Sequence, residues 1–208
     1  MKKVTVTIYS DYVCPYCYIG AERVQKLQQE YSIPVIWKSF ELHPEAPEGG
    51  IPPTMFYQNN PHLKRISENA KALAADASLK FGTHVIYSNS RLALELGEYA
   101  EQEGKGEVFR TAIFDAYFQQ IRDIGSEAVL LEIAEGIGMS RDAAEKCLAE
   151  RQMKSLVDSQ IQKARGLGIT GVPTFIIGQY MVVGAQPYAV IKQAFEMAMK
   201  KNSENNTT

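Results

Sequence analysis

Cysteine is scarce in this sequence: Cys14, Cys17 and Cys147 are the only three among 208 residues. Three are too few to staple a secreted, disulfide-stabilised scaffold, so the close pair is read as chemistry or metal binding before structure. Long apolar runs are missing too. No stretch approaches the roughly 20 residues that cross a bilayer, and Lys2-Lys3 is followed by Val4-Thr5-Val6-Thr7-Ile8, which alternates with polar residues instead of forming a secretory apolar segment. A cytoplasmic protein with no membrane partner is expected. Charge of one sign is not in excess either. A net charge of -2 without any basic run leaves no electrostatic footprint for nucleic acid and excludes that class of partner.

What is present, 45% hydrophobic and 22% charged residues, describes an ordinary globular chain long enough for one full core, with or without an inserted subdomain. Lys3 to Tyr9 alternates β-branched and polar residues and reads as a strand. From Tyr18 to Tyr31 the apolar residues Ile19, Val24, Leu27 and Tyr31 recur at steps of three to five, as on one face of a helix. Ser32-Ile33-Pro34 ends that helix, and Val35 to Leu42 reads as a second strand, parallel to the first if the unit is βαβ. His43 to Pro61 is rich in Pro and Gly and reads as a loop.

Beyond it the spacing predicts helices over Leu63 to Leu79, Ser90 to Glu103, Glu107 to Gln120, Glu127 to Ile137 and Arg141 to Leu167. Breaks fall near Phe81-Gly82, Gly104 to Gly106, Asp123 to Gly125 and Gly136 to Gly138. Pro173 to Ile177 and Tyr180 to Val183 flank Gly178-Gln179, a hairpin signal, and a last helix runs from Pro187 to about Lys200. The polar tail contains Asn205-Asn206-Thr207, a glycosylation sequon expected to have no role without a secretory signal. The order βαβ, helical block, ββα defines an α/β class: a thioredoxin fold over residues 1–44 and 152–208, with an all-helical subdomain inserted at 45–151.

The chemistry sits where the first strand hands over to the first helix. A sulfur at that place lies near unpaired backbone N–H groups and the positive end of the macrodipole, which favour thiolate over thiol. Cys14 is therefore the expected nucleophile, and Cys17, at i+3 on the same face and less exposed, the resolving thiol. Pro15 falls where a missing N–H costs nothing and its φ favours helix initiation, while Tyr16 is expected to be exposed. A zinc site would need four ligands from Cys14, Cys17, Cys147, His43, His62 and His84, and no second spaced pair exists among them, so no metal is expected. Cys147 reads as a buried helix residue. The histidines read as loop or surface groups, with only His43 placed near the cysteines.

A second signal is Gly168-Ile169-Thr170-Gly171-Val172-Pro173-Thr174-Phe175. A proline directly ahead of a strand is either a strand-edge proline or a cis proline against the cysteines, in which case the Val172 backbone is offered to an extended substrate.

Ser10-Asp11-Tyr12-Val13-Cys14-Pro15-Tyr16-Cys17-Tyr18-Ile19-Gly20, Phe40-Glu41-Leu42-His43-Pro44, Ala116-Tyr117-Phe118 with Arg122-Asp123-Ile124, and Gly171 to Phe175 with Gly184-Ala185-Gln186-Pro187 together resemble the DsbA family, in its FrnE-like branch. The resemblance implies a thioredoxin domain interrupted by helices, a redox pair at Cys14 and Cys17 and a cis Val172-Pro173 bond. Cys-Pro-Tyr-Cys also resembles the glutaredoxin centre. Related glutathione-using isomerases for 2-hydroxychromene-2-carboxylate and kappa-class transferases commonly carry Ser at the place of Cys14, so the dithiol favours disulfide exchange.

The expected function is a thiol-disulfide oxidoreductase working through a mixed disulfide, with Cys14 and Cys17 catalytic and Pro15, Tyr16, Val172 and Pro173 contacting substrate. No cofactor is required; glutathione is admitted as a co-substrate, protein or low-molecular-weight thiols and disulfides as partners, and a monomer or homodimer as the assembly. The main rival is a glutathione-dependent isomerase or transferase acting on a small aromatic or polyketide substrate. A redox-inert binding module and a metal-stabilised helical protein complete the alternatives.

Overall fold

The computed structural model describes residues 4–59 and 61–204. Lys2-Lys3 and the Asn205-Asn206-Thr207 sequon lie outside the described residues. In chain order the elements are β1 (Val6–Ser10), α1 (Pro15–Tyr31), β2 (Val35–Ser39), α2 (Pro53–Asn59), α3 (Pro61–Asp76), α4 (Arg91–Gln102), α5 (Gly106–Phe114) with a π-helical turn over Asp115–Gln119, α6 (Glu127–Gly136), α7 (Arg141–Ala149), α8 (Lys154–Gly166), β3 (Thr174–Ile177), β4 (Tyr180–Val183) and α9 (Tyr188–Glu204). The strands form one sheet in the order β2-β1-β3-β4. β1 and β2 are parallel, as a helical crossover requires, and β3 is antiparallel to both β1 and β4. This is the α/β thioredoxin-like arrangement that the element order implies.

Period-two alternation divides the sheet's residues between two cores. Val6 and Ile8 of β1 sit opposite Ile177 and Phe175 of β3 on one face. There they meet Val24 and Leu27 of α1 and Ile191 and Phe195 of α9. Tyr9 points the other way, into a larger cluster with Val13, Tyr18, Phe40 and residues of the inserted helices such as Leu96, Phe109, Phe114, Phe118 and Leu130. The helices between β2 and β3 thus share a core with the sheet.

Local chemistry fixes the boundaries that place the cysteines. α1 starts at Pro15 and stops at Ser32, which takes a left-handed φ of 50° while its N–H donates to the Gln28 carbonyl at 2.9 Å. β2 is shorter than the sequence pattern, because after the Phe40 N–H reaches the Ser10 carbonyl at 2.9 Å the next free donor, Leu42 N–H, goes to the Asp11 side chain.

Two further boundaries depart from the sequence reading. The 43–61 loop contains α2, opened by Pro53 and anchored by the buried Phe56. The helix expected over Arg141 to Leu167 is two helices. Between them Arg151 takes φ 51° and its guanidinium grips the Glu95 carboxylate at 2.6 and 2.7 Å. Glu95 is 1% exposed, so this bidentate pairing satisfies a buried charge and holds the break.

Phe175 is 0% exposed at the centre of the smaller core. Phe175→Ala is expected to cost about 3–5 kcal/mol. In urea unfolding this appears as a lower midpoint with an unchanged slope.

Candidate active site

β1 ends at Ser10, and four residues later Cys14 caps α1 with extended backbone (φ −85°, ψ 116°). Its carbonyl accepts the N–H groups of Cys17 (3.0 Å) and Tyr18 (3.2 Å), the opening bonds of the helix. Pro15 follows as the first helical residue and withholds no needed donor. Both sulfurs belong to buried residues, Cys14 3% and Cys17 0% exposed.

The strand pairing brings the second segment to this point. Tyr9 is registered against Thr174, so the residues just before β3 abut those just after β1. The Val172–Pro173 bond is cis. The Cys14 thiol donates to the Val172 carbonyl at 3.4 Å. Pro173 packs on the other side against α1, where a Cβ on Gly20 would lie 3.1 Å from both Pro173 Cγ and Phe175 Cζ. Gly20 is what allows this approach.

Burial drives the Cys17 thiol well above its ordinary range, reinforced by its hydrogen bond to Cys14 and by the charge on Cys14. Cys17 thus keeps its proton and offers it to the Cys14 sulfur. Beneath the pair, Asp11 is completely buried and clamps two loops: Oδ2 accepts the Leu42 N–H at 2.7 Å and Oδ1 the Val13 N–H at 3.3 Å. Burial raises its carboxyl from 3.8 to about 6, against the lowering effect of those hydrogen bonds and of Ser90.

A cavity of about 270 Å³ opens beside Cys14. Cys14, Pro15, Tyr16 and Val172 line one side, with Phe56, Phe81, His84 and Tyr87 on the other. Of the residues singled out from sequence, Cys17 and Pro173 lie behind this wall and do not line it. Tyr16 is half-buried, not exposed as expected, because its hydroxyl donates to the Ile66 carbonyl of α3 at 3.3 Å.

His43 does reach the cavity and pairs with Glu45 at 2.9 Å. His84 lies in a loop, as expected, but it too is part of the cavity wall, where only His43 was expected, and stacks on Tyr117 with centroids 4.2 Å apart. Burial, and the nearby Lys71, hold it neutral down to about pH 4. The aromatic residues of the 81–87 segment were the only sequence signal for this wall, and nothing in their spacing announced it.

Cys147 lies on α7 away from the cavity; burial and Glu95 raise it to about 11, as suits an inert thiol. Among the described residues no three His, Cys, Asp or Glu side chains are grouped so as to hold a metal ion. No helix among them is long and apolar enough to cross a membrane.

A model of the DSBA-like thioredoxin domain matches residues 5–196. The chain belongs to this family. It is similar to the uncharacterized protein YwbO of Bacillus subtilis (strain 168), 29% identical over 205 residues that cover 95% of this chain and 98% of that one. It is also similar to 2-hydroxychromene-2-carboxylate isomerase of Pseudomonas putida, 22% identical over 96% of this chain and 98% of the isomerase. The crystal structure of a probable DsbA oxidoreductase from Streptomyces coelicolor superimposes with a TM-score of 0.86 at 27% identity, covering 95% of this chain and 90% of that one. The DSBA-like fold and the cysteine pair at its helix N-terminus therefore occur together.

The raised Asp11 carboxyl gives a pH signature. The folded state holds this proton more tightly than the unfolded chain, so Asp11 stabilises below about pH 4, and that contribution is lost as pH rises toward about 6. Asp11→Asn removes the titration. The stability of the native protein relative to this variant is expected to fall between about pH 4 and pH 6, measured by urea unfolding at each pH.

Proposed function

We propose that the protein is a thiol-disulfide oxidoreductase of the FrnE-like branch in which Cys14 and Cys17 are the catalytic residues. The observation that carries this reading is the placement of the Cys14 sulfur at a helix N-terminus, 3.4 Å from the Val172 carbonyl, with the protonated Cys17 thiol behind it. In the reductive direction the Cys14 thiolate attacks a substrate disulfide, forming a mixed disulfide and expelling one substrate thiolate. Cys17, on losing its proton to the departing group or to solvent, attacks the Cys14 sulfur. The second substrate thiolate leaves and the Cys14–Cys17 disulfide remains; two electrons have passed from the protein dithiol to the substrate. Run backwards, the same steps oxidise a substrate dithiol.

Pro15, Tyr16 and Val172 contact the substrate from one wall of the cavity, and Pro173 supports Val172 from behind. Protein or low-molecular-weight thiols and disulfides are the partners, glutathione can serve as co-substrate, no bound cofactor takes part, and the cytoplasm is the proposed location. A second reading is favoured by one observation, the full-length similarity to an enzyme named 2-hydroxychromene-2-carboxylate isomerase. Under it Cys14 faces a small organic substrate and Cys17 has no chemical role.

Cys17→Ser separates the two. Disulfide turnover is expected to fall to the uncatalysed rate, and Cys14 mixed disulfides to accumulate as mass adducts. Unchanged turnover in this variant, or isomerase activity that survives the loss of Cys17, overturns the dithiol mechanism.

A further inference from the structure

The cavity beside Cys14 has a composition that the dithiol chemistry alone does not require. Its walls are aromatic: Phe56 and Tyr87 lie with centroids 4.3 Å apart at 31°, and Phe81 meets Phe118 at 5.0 Å. Among the described residues, no Lys, Arg, Asp or Glu lines it. Charges act on the lining from outside it, Glu45 on His43 and Lys71 over the Phe81 ring at 5.9 Å. His84 is neutral through the physiological range. Apart from His43, which already pairs with Glu45, the described lining offers a charged ligand no ionic partner, so such a ligand would lose its hydration at substantial cost. Glutathione, with two carboxylates and an ammonium group, can exchange with Cys14 while its charged groups stay outside these walls, but does not fill them.

Size narrows the occupant further. A space of about 270 Å³ is below the range of about 300–1,000 Å³ common for drug-sized ligands, and suits one or two aromatic rings. The Tyr16 hydroxyl bridges from the cysteine loop to the Ile66 carbonyl, tying α1 to α3 across the cavity edge.

We propose that the cavity selects small, uncharged aromatic disulfides and their thiols as the exchange substrates of Cys14. This deepens the dithiol reading and rests on it. One equivalent of an uncharged diaryl disulfide takes two electrons from the reduced pair. Cys14 attacks one aryl sulfur, the S–S bond breaks and an aryl thiolate leaves. Cys17 then displaces the second aryl thiolate from Cys14, and the protons of the two protein thiols end on the two aryl thiols or in solvent. The ring of the aryl group held on Cys14 rests against Phe56 and Tyr87 while this occurs.

The test measures reduced full-length protein against four disulfides: dithiodipyridine, which is aromatic and neutral at pH 7, dithiobis(nitrobenzoate), which is aromatic and dianionic, glutathione disulfide, and insulin. Each rate is divided by that disulfide's rate with free cysteine, which removes intrinsic reactivity. Dithiodipyridine is expected to exceed each of the others by at least about tenfold on this scale, the ratio that corresponds to one decade in binding. Equal normalised rates, or a preference for the dianion, glutathione disulfide or insulin, overturn the substrate assignment while leaving the dithiol mechanism intact. Absence of exchange with all four overturns the dithiol mechanism and this inference with it.

A second measurement does not depend on redox chemistry. Calorimetry with naphthol and naphthoate on the reduced protein is expected to show binding of naphthol only, abolished by Ile66→Trp, which fills the cavity mouth. Naphthoate binding as tightly as naphthol, or naphthol binding unaffected in a folded Ile66→Trp variant, contradicts the assignment.

Discussion

Everything at the site depends on the antiparallel register of β1 with β3. With Tyr9 opposite Thr174, the loop that leaves β1 and the loop that enters β3 emerge side by side at the same end of the sheet. Cys14 and Val172, 158 residues apart, are held at 3.4 Å by that register. A slip of one residue would exchange the faces of Ile8 and Tyr9, which belong to different cores, so both cores resist it. Burial of Val6, Ile8, Phe175 and Ile177 thus has a chemical consequence: it fixes which carbonyl meets which sulfur.

The helices between β2 and β3 share a core with the cysteine end of the sheet. Their aromatic residues, Phe109, Phe114, Tyr117 and Phe118, join Tyr9, Val13 and Tyr18 in one continuous core. Tyr18 stacks on Phe118 with centroids 5.0 Å apart at 5°, and its hydroxyl accepts from Gln119 at 3.0 Å. Residues of the cysteine helix are thereby bound to the π-helical turn, whose Phe118 carbonyl in turn accepts the Gly82 N–H at 2.7 Å. This chain of contacts carries the 81–87 segment to the cysteines and makes the cavity aromatic.

Much of this was legible in the sequence, for physical reasons that differ by element. The strand preceding Cys14, the helix beginning at Pro15 and the 174–183 hairpin have local signals: alternation, a proline at the first helical position, and Gly178 at φ 60° in a two-residue turn. Parallel pairing of β1 with β2 followed from the crossover. The division between α7 and α8 was not legible, because a non-glycine residue, Arg151, takes the positive φ and is held there by Glu95, 56 residues away. α2 was hidden among prolines that mark loops more often than helix starts. His84 carries no mark in sequence distinguishing a wall residue from a surface one. Its place is set by stacking on Tyr117, a contact between segments more than thirty positions apart. The cavity is a product of tertiary packing, and of its lining only Cys14, Pro15, Tyr16, His43 and Val172 could be read in advance.

The proposed chemistry rests on two sulfurs, Cys14 and Cys17, exchanging two electrons as a unit. Equilibrating the protein in glutathione buffers of graded potential, quenching with a thiol-blocking reagent and weighing the intact chain and its peptides tests this directly. The prediction is one reversible two-electron transition in which Cys14 and Cys17 become mutually linked while Cys147 remains a thiol. Cysteines that stay reduced across the whole range, or Cys14 accumulating only as a glutathione adduct with Cys17 free, would contradict it.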